Sequence, residues 1–449
     1  MSNAVKPRER DAILQSLRAG VVPRVGLRHL QVGRLDEVAA ILNDLERIEH
    51  GGASVRFITG RYGAGKSFFL NLARMVALER KFVVAQADVT MERRLHGSSG
   101  QARSLYAELM RNLATRAKPE GNALSSVVER WVSELDHQLR ASGATDSDVL
   151  REIKNQLKPL QELVSGFDFA TVISRYVEGF QAHNDSLMSS ALRWLRAEYR
   201  TKTEARENLD VRSIIDDVQF YDYLKLFASF VKLAGYSGLL INIDEMGVFS
   251  HRLNSSQART ANYEVILRIL NDCLQGNVVG LGFLFGGTNT FLEDRRRGVY
   301  SYEALATRLE DNSLANTGLK DFSGPVIRLQ NLSPEDLFVL LHNIRVVFAS
   351  GDPARYSLDD QGIKQFMTHC ASSLGAEFYL TPRDAVKAFV QMLFIIEQNP
   401  GSTWQTVLSA LRIDRSVDPE AGPLEADEET TPEPRNKNAG DDSLASFKL

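Results

Sequence analysis

The sequence predicts an α/β fold in which a parallel sheet is packed between helices, a long helical segment interrupts it, and a further helical region follows. Three observations favour this class. Short apolar segments of strand length alternate with amphipathic segments of helical period. The first strand leads directly through a glycine-rich loop into a helix, which is how a parallel α/β unit begins. Residues 95–235, by contrast, contain amphipathic helical patterns and no strand-like run.

The elements of the sheet follow from local patterns. Residues 34–49 place apolar side chains at helical spacing and are followed by His50-Gly51-Gly52, a helix stop. The next residues, 55–59, have the composition of a short buried strand, and a helix is expected from Lys66 to about Leu78. Apolar runs of strand length predict the remaining strands at 82–85, 239–243 and 278–285.

These patterns divide the chain into four regions. Residues 34–325 form the α/β core, with the helical insertion at about 95–235. Residues 1–33 form an N-terminal segment, and residues 326–414 form a helical lid. Residues 415–449 contain nine acids, four bases and several prolines. Such a segment cannot bury enough apolar surface to offset its ordering entropy, so we expect a disordered acidic tail.

Composition excludes several classes. The 449 residues are 43% apolar, which excludes wholesale disorder. No run approaches ~18 apolar residues and the first residues lack an apolar signal core, so we expect a soluble, cytoplasmic protein with no membrane partner. The net charge of the chain is −4; the tail has a net charge of −5, and residues 1–414 have a net charge of +1. The rest of the chain has no strongly basic character that would indicate nucleic-acid binding, although a local basic groove stays open.

The strongest chemical signal is GRYGAGKS at residues 60–67, which fits the phosphate-loop pattern G-x-x-x-x-G-K-[ST]. Glycines let successive N–H groups face a phosphate, and the following helix N-terminus adds its dipole. Lys66 supplies a cation for the phosphates, and the Ser67 hydroxyl can bind Mg²⁺. A chance glycine-rich turn would lack the flanking strand and helix. The predicted nucleotide-binding residues are Gly60, Tyr62, Gly63, Ala64, Gly65, Lys66, Ser67 and Phe68.

A second signal is the apolar run 239–243, which ends in two acids. The carboxyl end of a parallel strand lies at the edge of the sheet where ligands bind. Asp244 is therefore predicted to hold Mg²⁺, largely through water, and Glu245 to orient or deprotonate an attacking water. Alone, this pattern often marks only a strand end. Together with the phosphate loop it predicts a site for nucleotide hydrolysis.

Two further positions are candidates for contacts with the γ-phosphate. The strand at 278–285 is followed by polar residues, of which Asn289 is the first choice for positioning the water and Thr288 the second. Both residue types also serve readily as helix N-caps. Arg383, in the sequence Thr-Pro-Arg-Asp at 381–384, opens a C-terminal helix. It is either a lid arginine that reaches the phosphate or a surface residue beside an ordinary helix start.

Arginines that follow the polar-ended strand are candidates for a finger, a side chain that neutralises charge in phosphoryl transfer. Arg308 follows an apolar helical stretch and is expected to project from a subunit edge into a neighbour's nucleotide. The alternative is an ordinary surface ion pair. Arg295, Arg296 and Arg297 form a run that either binds phosphate or is simply solvated. The sequence does not decide which of the four is the finger.

Taken together, these motifs and their order resemble the AAA+ ATPases, which are ASCE-type P-loop proteins, and within them the initiator-type or STAND-like clades. Four stretches are similar to the P-loop ATP-binding proteins of bacterial BREX anti-phage systems, specifically the D-type subunit. The stretches are AGVVPRVGLRHLQVGR, FITGRYGAGKSFFL, RLHGSSGQARSLY and FGGTNT with the following RRGVYSYEALATRL. The resemblance covers about residues 10–410 and is most specific in the phosphate loop.

The resemblance implies ATP binding and Mg²⁺-dependent hydrolysis by a regulatory or motor subunit of a defence complex. It also implies a co-encoded partner such as a large helicase. The leading hypothesis adds a homo-oligomer, because a finger arginine acts across subunits, and action on DNA. It gives Asn289, Arg308 and Arg383 the first-sensor, finger and second-sensor roles. Two alternatives stay open: a STAND-like ATP switch with little turnover, and a scaffold that uses ATP only for folding. Glu245 disfavours the scaffold, because simple binding does not need a second carboxylate.

Overall fold

The computed structural model describes residues 5–310, 321–374 and 382–413, which are built around a parallel sheet of five strands. The strands are β1 (Ala53–Gly60), β2 (Val83–Asp88), β3 (Leu239–Asp244), β4 (Leu281–Thr288) and β5 (Val326–Arg328). Their order across the sheet is β2-β3-β4-β1-β5, and all neighbours are parallel. β4 therefore separates the strand that leads into the phosphate loop from the strand that ends in Asp244. The predicted parallel α/β sheet is confirmed.

The strand bounds differ from the prediction in several places: β1 and β2 extend further than predicted, β4 begins and ends three residues later, and β5 was not predicted. β4 runs three residues further, because its pairing with β1 continues through Gly286-Gly287 to the pair Gly60–Thr288. The sequence does not predict β5, which pairs with residues 57–59 of β1. Three residues are too short to show a strand period. This strand lies just beyond the predicted end of the core at residue 325, although it belongs to the core sheet.

The first helices are α1 (Pro7–Arg18), α2 (Leu35–Glu49) and α3 (Lys66–Glu79). α2 and α3 lie within one residue of their predicted bounds. Their apolar faces pack with Ile58 of β1 and Leu284 of β4 in one buried cluster, which includes Leu45 of α2 and Phe69 and Leu70 of α3. The helix that follows the phosphate loop is thus anchored on the sheet by apolar burial.

The insertion is helical, as predicted. Its helices are α4 (Gln101–Arg111), α5 (Leu124–Ala141), α6 (Asp146–Gln161), α7 (Gly166–Gln181), α8 (Asp185–Leu195), α9 (Lys202–Leu209) and α10 (Phe220–Leu233). Aromatic side chains join them: the Trp131 and Phe230 rings meet edge to face at 5.3 Å. The same apolar cluster continues into the strands, where the rings of Tyr221 and Phe283 lie 6.3 Å apart. The insertion therefore shares the hydrophobic core of the sheet.

After the insertion the chain enters β3; α11 (Val248–His251) and α12 (Ser256–Leu274) then connect β3 to β4, and α13 (Asn289–Glu293) and α14 (Glu303–Leu309) follow β4. The C-terminal helices are α15 (Pro334–Phe348), α16 (Asp360–Leu374), α17 (Pro382–Gln398) and α18 (Trp404–Ala410). They form a second apolar cluster, which also contains Ile13 and Leu14 of α1. The N-terminal helix therefore packs with the lid, a contact that local patterns do not reveal.

Within the described residues, no helix is long and apolar enough to cross a membrane. The predicted acidic tail at 415–449 lies outside the described residues.

Candidate phosphate-binding site

A cleft of about 770 Å³ opens at the edge of the sheet where the strands have their carboxyl ends. Its walls come from four parts of the chain: the loop after β1, the ends of β2, β3 and β4, the N-terminal segment, and the start of α17. The described cleft residues include most of the predicted nucleotide-binding set, namely Tyr62, Gly63, Ala64, Gly65, Lys66, Ser67 and Phe68.

The loop after β1 has the backbone that a phosphate requires. Gly63 and Gly65 adopt φ of 77° and 89°, which side chains other than glycine rarely tolerate. A Cβ atom at Gly65 would meet nothing within 4 Å, so the backbone faces open space. The Lys66 Nζ atom donates to the carbonyl oxygens of Gly60 at 3.1 Å and Arg61 at 3.0 Å, which holds the ammonium over the loop. Together with the N-terminus of α3 this forms an anion cradle.

Ser67 and Asp244, which are distant in sequence, meet at this cradle. The Ser67 hydroxyl donates to Asp244 Oδ2 at 2.6 Å, and Asp244 is buried. Hydroxyl and carboxylate oxygens are the ligands that Mg²⁺ prefers, usually with several waters retained. The pair therefore fits the metal of a nucleotide complex, with Ser67 and Asp244 as the residues that would hold it.

Gly286 of β4 leaves room for the Asp244 carboxylate. A Cβ atom on Gly286 would collide with Asp244 Oδ1 and with a methyl carbon of Leu70. The backbone N–H of Met246 also donates to the Gly286 carbonyl at 2.9 Å, which fixes the segment after β3. A glycine is therefore needed at position 286, because the Asp244 carboxylate packs directly against its Cα atom.

Gly286→Ala should therefore displace the carboxylate. We expect a loss of about 1–3 kcal/mol in the free energy of unfolding and weaker Mg²⁺-dependent nucleotide affinity. Denaturant melts and nucleotide titrations with and without Mg²⁺ measure the two effects. Gly324→Ala is the matched control, because a Cβ atom there meets nothing within 4 Å. If both variants bind nucleotide equally well, Gly286 has no part in seating Asp244.

Glu245 is exposed at the cleft and has a left-handed backbone, with φ 59°. This conformation costs a residue with a side chain about 1–2 kcal/mol. It is held by the Glu245 N–H, which donates to Asp244 Oδ1 at 2.9 Å, and by the Val248 N–H, which donates to the Glu245 carbonyl at 3.2 Å. Non-glycine residues in such conformations cluster at functional sites.

Asp88, at the end of β2, is a third acid that the sequence analysis misses. It pairs in register with Asp244 and lines the cleft. Loss of hydration and then repulsion by Asp244 raise the pKa of Asp88, against the opposing effect of Arg93 and Arg24. The predicted strand ends at residue 85, before Asp88. The only sequence signal for this residue is therefore an acid shortly after an apolar run.

Arg383 reaches the phosphate loop from the lid. Its Nη1 atom donates to the Tyr62 hydroxyl at 2.6 Å, and its guanidinium carbon lies 5.4 Å from the centre of the Tyr62 ring. Pro382 is the first residue of α17, as the Pro-at-N1 pattern predicts, whereas Thr381 lies outside the described residues. The structure thus places Arg383 at the cleft.

A model of the family described as BREX system ATP-binding protein BrxC/D matches residues 5–412. The chain belongs to this family. It is accordingly an ATP-binding protein of a BREX system, which agrees with the resemblance noted from the sequence. No curated protein gives a significant match.

In this BREX ATP-binding protein the two polar residues at the end of β4, Thr288 and Asn289, have different surroundings. Thr288 lines the cleft and also caps α13, since its hydroxyl accepts from the Phe291 N–H at 3.1 Å. Asn289 is not among the described cleft residues, and its side-chain oxygen is buried without a hydrogen-bond partner within the described chain. The first-sensor assignment to Asn289 stays a prediction, with Thr288 the nearer of the two.

The finger candidates of the BREX protein lie away from the cleft. Arg308 is exposed on α14, where it donates to the Asn271 side chain at 2.8 Å and to the Ala304 carbonyl at 2.6 Å. Arg295 and Arg296 are also exposed, whereas Arg297 is fully buried and donates to the Leu253 carbonyl at 3.1 Å. Because Arg297 is buried, its side chain is not on the protein surface, where a finger arginine must lie to reach a neighbouring subunit.

Arg34, the first residue of the core, and the N-terminal segment before it contribute contacts of the BREX protein that were not predicted. The Arg34 guanidinium donates to the Ala64 carbonyl at 3.1 Å and to the Gln330 carbonyl at 2.7 Å. It therefore joins the phosphate loop to the chain that enters the lid. Val22, Arg24 and Leu30 line the cleft on the same side. Nothing in local periodicity signals these contacts, because the segment becomes part of the site only through tertiary packing.

Proposed function

We propose that this protein is a Mg²⁺-dependent ATPase that serves as a regulatory or motor subunit of its BREX defence complex. The observation that supports it best is the 2.6 Å contact between the Ser67 hydroxyl and Asp244 Oδ2, in the same cleft as the Lys66 ammonium. A metal ligand pair, a phosphate cation and an exposed carboxylate at Glu245 share one cleft. Family membership supports ATP as the nucleotide.

In the proposed reaction, each side chain has a defined task. Lys66 binds oxygens of the β- and γ-phosphates, while Ser67 and Asp244 hold Mg²⁺. Bound Mg²⁺ would neutralise charge on those phosphate oxygens. Glu245 accepts a proton from the water whose oxygen attacks the γ-phosphorus, and the bond from that phosphorus to the ADP oxygen breaks. Arg383 would contribute positive charge from the lid.

Phosphate release by the purified protein tests the proposal. We expect release with ATP and Mg²⁺ and none when EDTA replaces Mg²⁺. Nucleotide binding without phosphate release, both alone and with the other BREX subunits, would contradict hydrolysis and would favour the ATP switch.

The partners are part of the same proposal. We infer a homo-oligomer that works with a helicase-type BREX subunit and acts on DNA. Family membership supports a partner within the BREX system, and the oligomer and DNA are further parts of the proposal. Native mass measurement with and without ATP, co-purification of tagged BREX subunits, and turnover with duplex DNA test the three parts separately. A monomer whose turnover responds to neither DNA nor the subunits would contradict all three.

Arg308 gives a specific prediction about assembly. If it acts as a finger on a neighbouring subunit, specific activity should rise with protein concentration. Arg308→Ala should then lose turnover and keep its ATP affinity, because a finger acts on charge that develops in the transition state. Steady-state phosphate release at several protein concentrations measures this.

A mixing experiment provides the control. Arg308→Ala mixed with Lys66→Ala should recover some activity, since one mixed interface joins an intact phosphate loop to an intact arginine. The competing interpretation is that Arg308 only braces α14 against Asn271, a contact at the surface. Concentration-independent turnover by a monomer, with Arg308→Ala fully active, would support that interpretation.

A further inference from the structure

We propose that Tyr62 of the phosphate loop is a positioning residue that holds the lid arginine, Arg383, away from the nucleotide until ATP binds. The inference rests on the proposed role of this cleft in ATP binding. It deepens that role, because it gives a variable position of the loop a part in setting how much more tightly ATP binds than ADP.

The contact between Tyr62 and Arg383 joins the phosphate loop to the C-terminal helical region. Tyr62 belongs to the loop between β1 and α3, whereas Arg383 lies in the first turn of α17. The hydrogen bond from Arg383 Nη1 to the Tyr62 hydroxyl is 2.6 Å long, and the guanidinium also lies over the ring at 5.4 Å. Both side chains are half-buried at the mouth of the cleft. Arg383 is therefore fixed by two interactions with one side chain.

The N-terminal segment forms the third side of this contact. A Cβ atom on Gly20 would lie 3.2 Å from Arg383 Nε, so the glycine leaves the space that the guanidinium occupies. Gly20 follows α1, whose residue Ile13 packs in the same apolar cluster as Phe389 of α17. Arg383 belongs to the lid, the N-terminal segment leaves space for its guanidinium at Gly20, and Tyr62 contacts it from the phosphate loop.

The chemistry of the acceptor makes the contact exchangeable. A neutral phenol oxygen is a weaker acceptor for guanidinium than an anionic phosphate oxygen, with which arginine forms charge-assisted bonds. The cleft that contains Arg383 also contains Lys66 and the anion cradle. A γ-phosphate bound there competes with the phenol for the guanidinium. Since ADP lacks that phosphate, the competition acts on ATP more than on ADP.

A double-mutant cycle on equilibrium binding tests the proposal. Tyr62→Phe keeps the ring and removes the hydroxyl, so the nucleotide-free arrangement loses its hydrogen bond. We expect ATP affinity to rise about three- to tenfold, with a smaller change for ADP. Arg383→Ala should weaken ATP binding more than ADP binding. In the Arg383→Ala background, Tyr62→Phe should have no further effect.

The measurements use a fluorescent ATP analogue and ADP under conditions without turnover, with thermal melts to verify that each variant is folded. Equal or weaker ATP binding by Tyr62→Phe would overturn the proposal, and so would an effect that persists without Arg383. The result is independent of hydrolysis, because only affinities are measured. The failure of the proposed ATPase activity is recognised separately, by a lack of phosphate release from a wild-type protein that binds ATP.

Discussion

Replacing Lys66 with alanine should abolish ATP binding while leaving the protein folded. The ammonium lies over the phosphate loop and contacts the Gly60 and Arg61 carbonyls at 3.1 and 3.0 Å. A triphosphate concentrates negative charge at that point, and the substitution removes the ammonium group that the loop presents to it. We expect affinity to fall by at least about 100-fold, which corresponds to about 2.8 kcal/mol. Equilibrium titration with a fluorescent ATP analogue measures the loss.

The control for this variant is Lys154→Ala, which removes an exposed lysine from α6 in the helical insertion. It changes the net charge by the same amount at a distant helix, so it separates a local contact from general electrostatics. Thermal melts should show all three proteins folded. Undiminished binding by Lys66→Ala would mean that the loop does not hold the phosphates, and the proposed function would fail with it.

Much of the sheet is predictable because its signals are local. An apolar run that ends in Asp244 and a glycine-rich loop that ends in Ser67 each define a strand end. Parallel strands place such ends at one edge, and this is why the 2.6 Å contact between the two side chains could be anticipated. The strand order itself, with β4 between β1 and β3, does not follow from local pattern.

The unpredicted parts of the site depend on packing between distant segments. Tyr62 and Arg383 are brought together only because α17 folds back on the phosphate loop. Arg34, at the start of α2, reaches the Ala64 carbonyl only because α2 packs beside the phosphate-loop helix α3. Arg297 belongs to an arginine run for which the sequence leaves open phosphate binding and a solvated surface, yet it is fully buried. Such contacts depend on tertiary distance and leave no periodic trace.

Glu245→Gln should bind ATP with nearly wild-type affinity and hydrolyse it about 10²–10⁴ times more slowly, the usual cost of removing a positioned general base. Glutamine has the size of glutamate but no carboxylate to accept the proton. The Glu245 N–H that donates to Asp244 Oδ1 is a backbone group, so the seat of the metal-binding carboxylate should survive the change. Single-turnover phosphate release and nucleotide titration measure the two parts separately.

The matched control is Glu264→Gln, which makes the same chemical change at an exposed position of α12. Wild-type turnover by Glu245→Gln would show that Glu245 is structural. Its left-handed backbone would then serve only to turn the chain from β3 into α11. In that case Asp88 is the next carboxylate to replace, because it lies in register beside Asp244 at the same edge. A slow Glu245→Gln that binds ATP normally would instead place the attacking water next to Glu245.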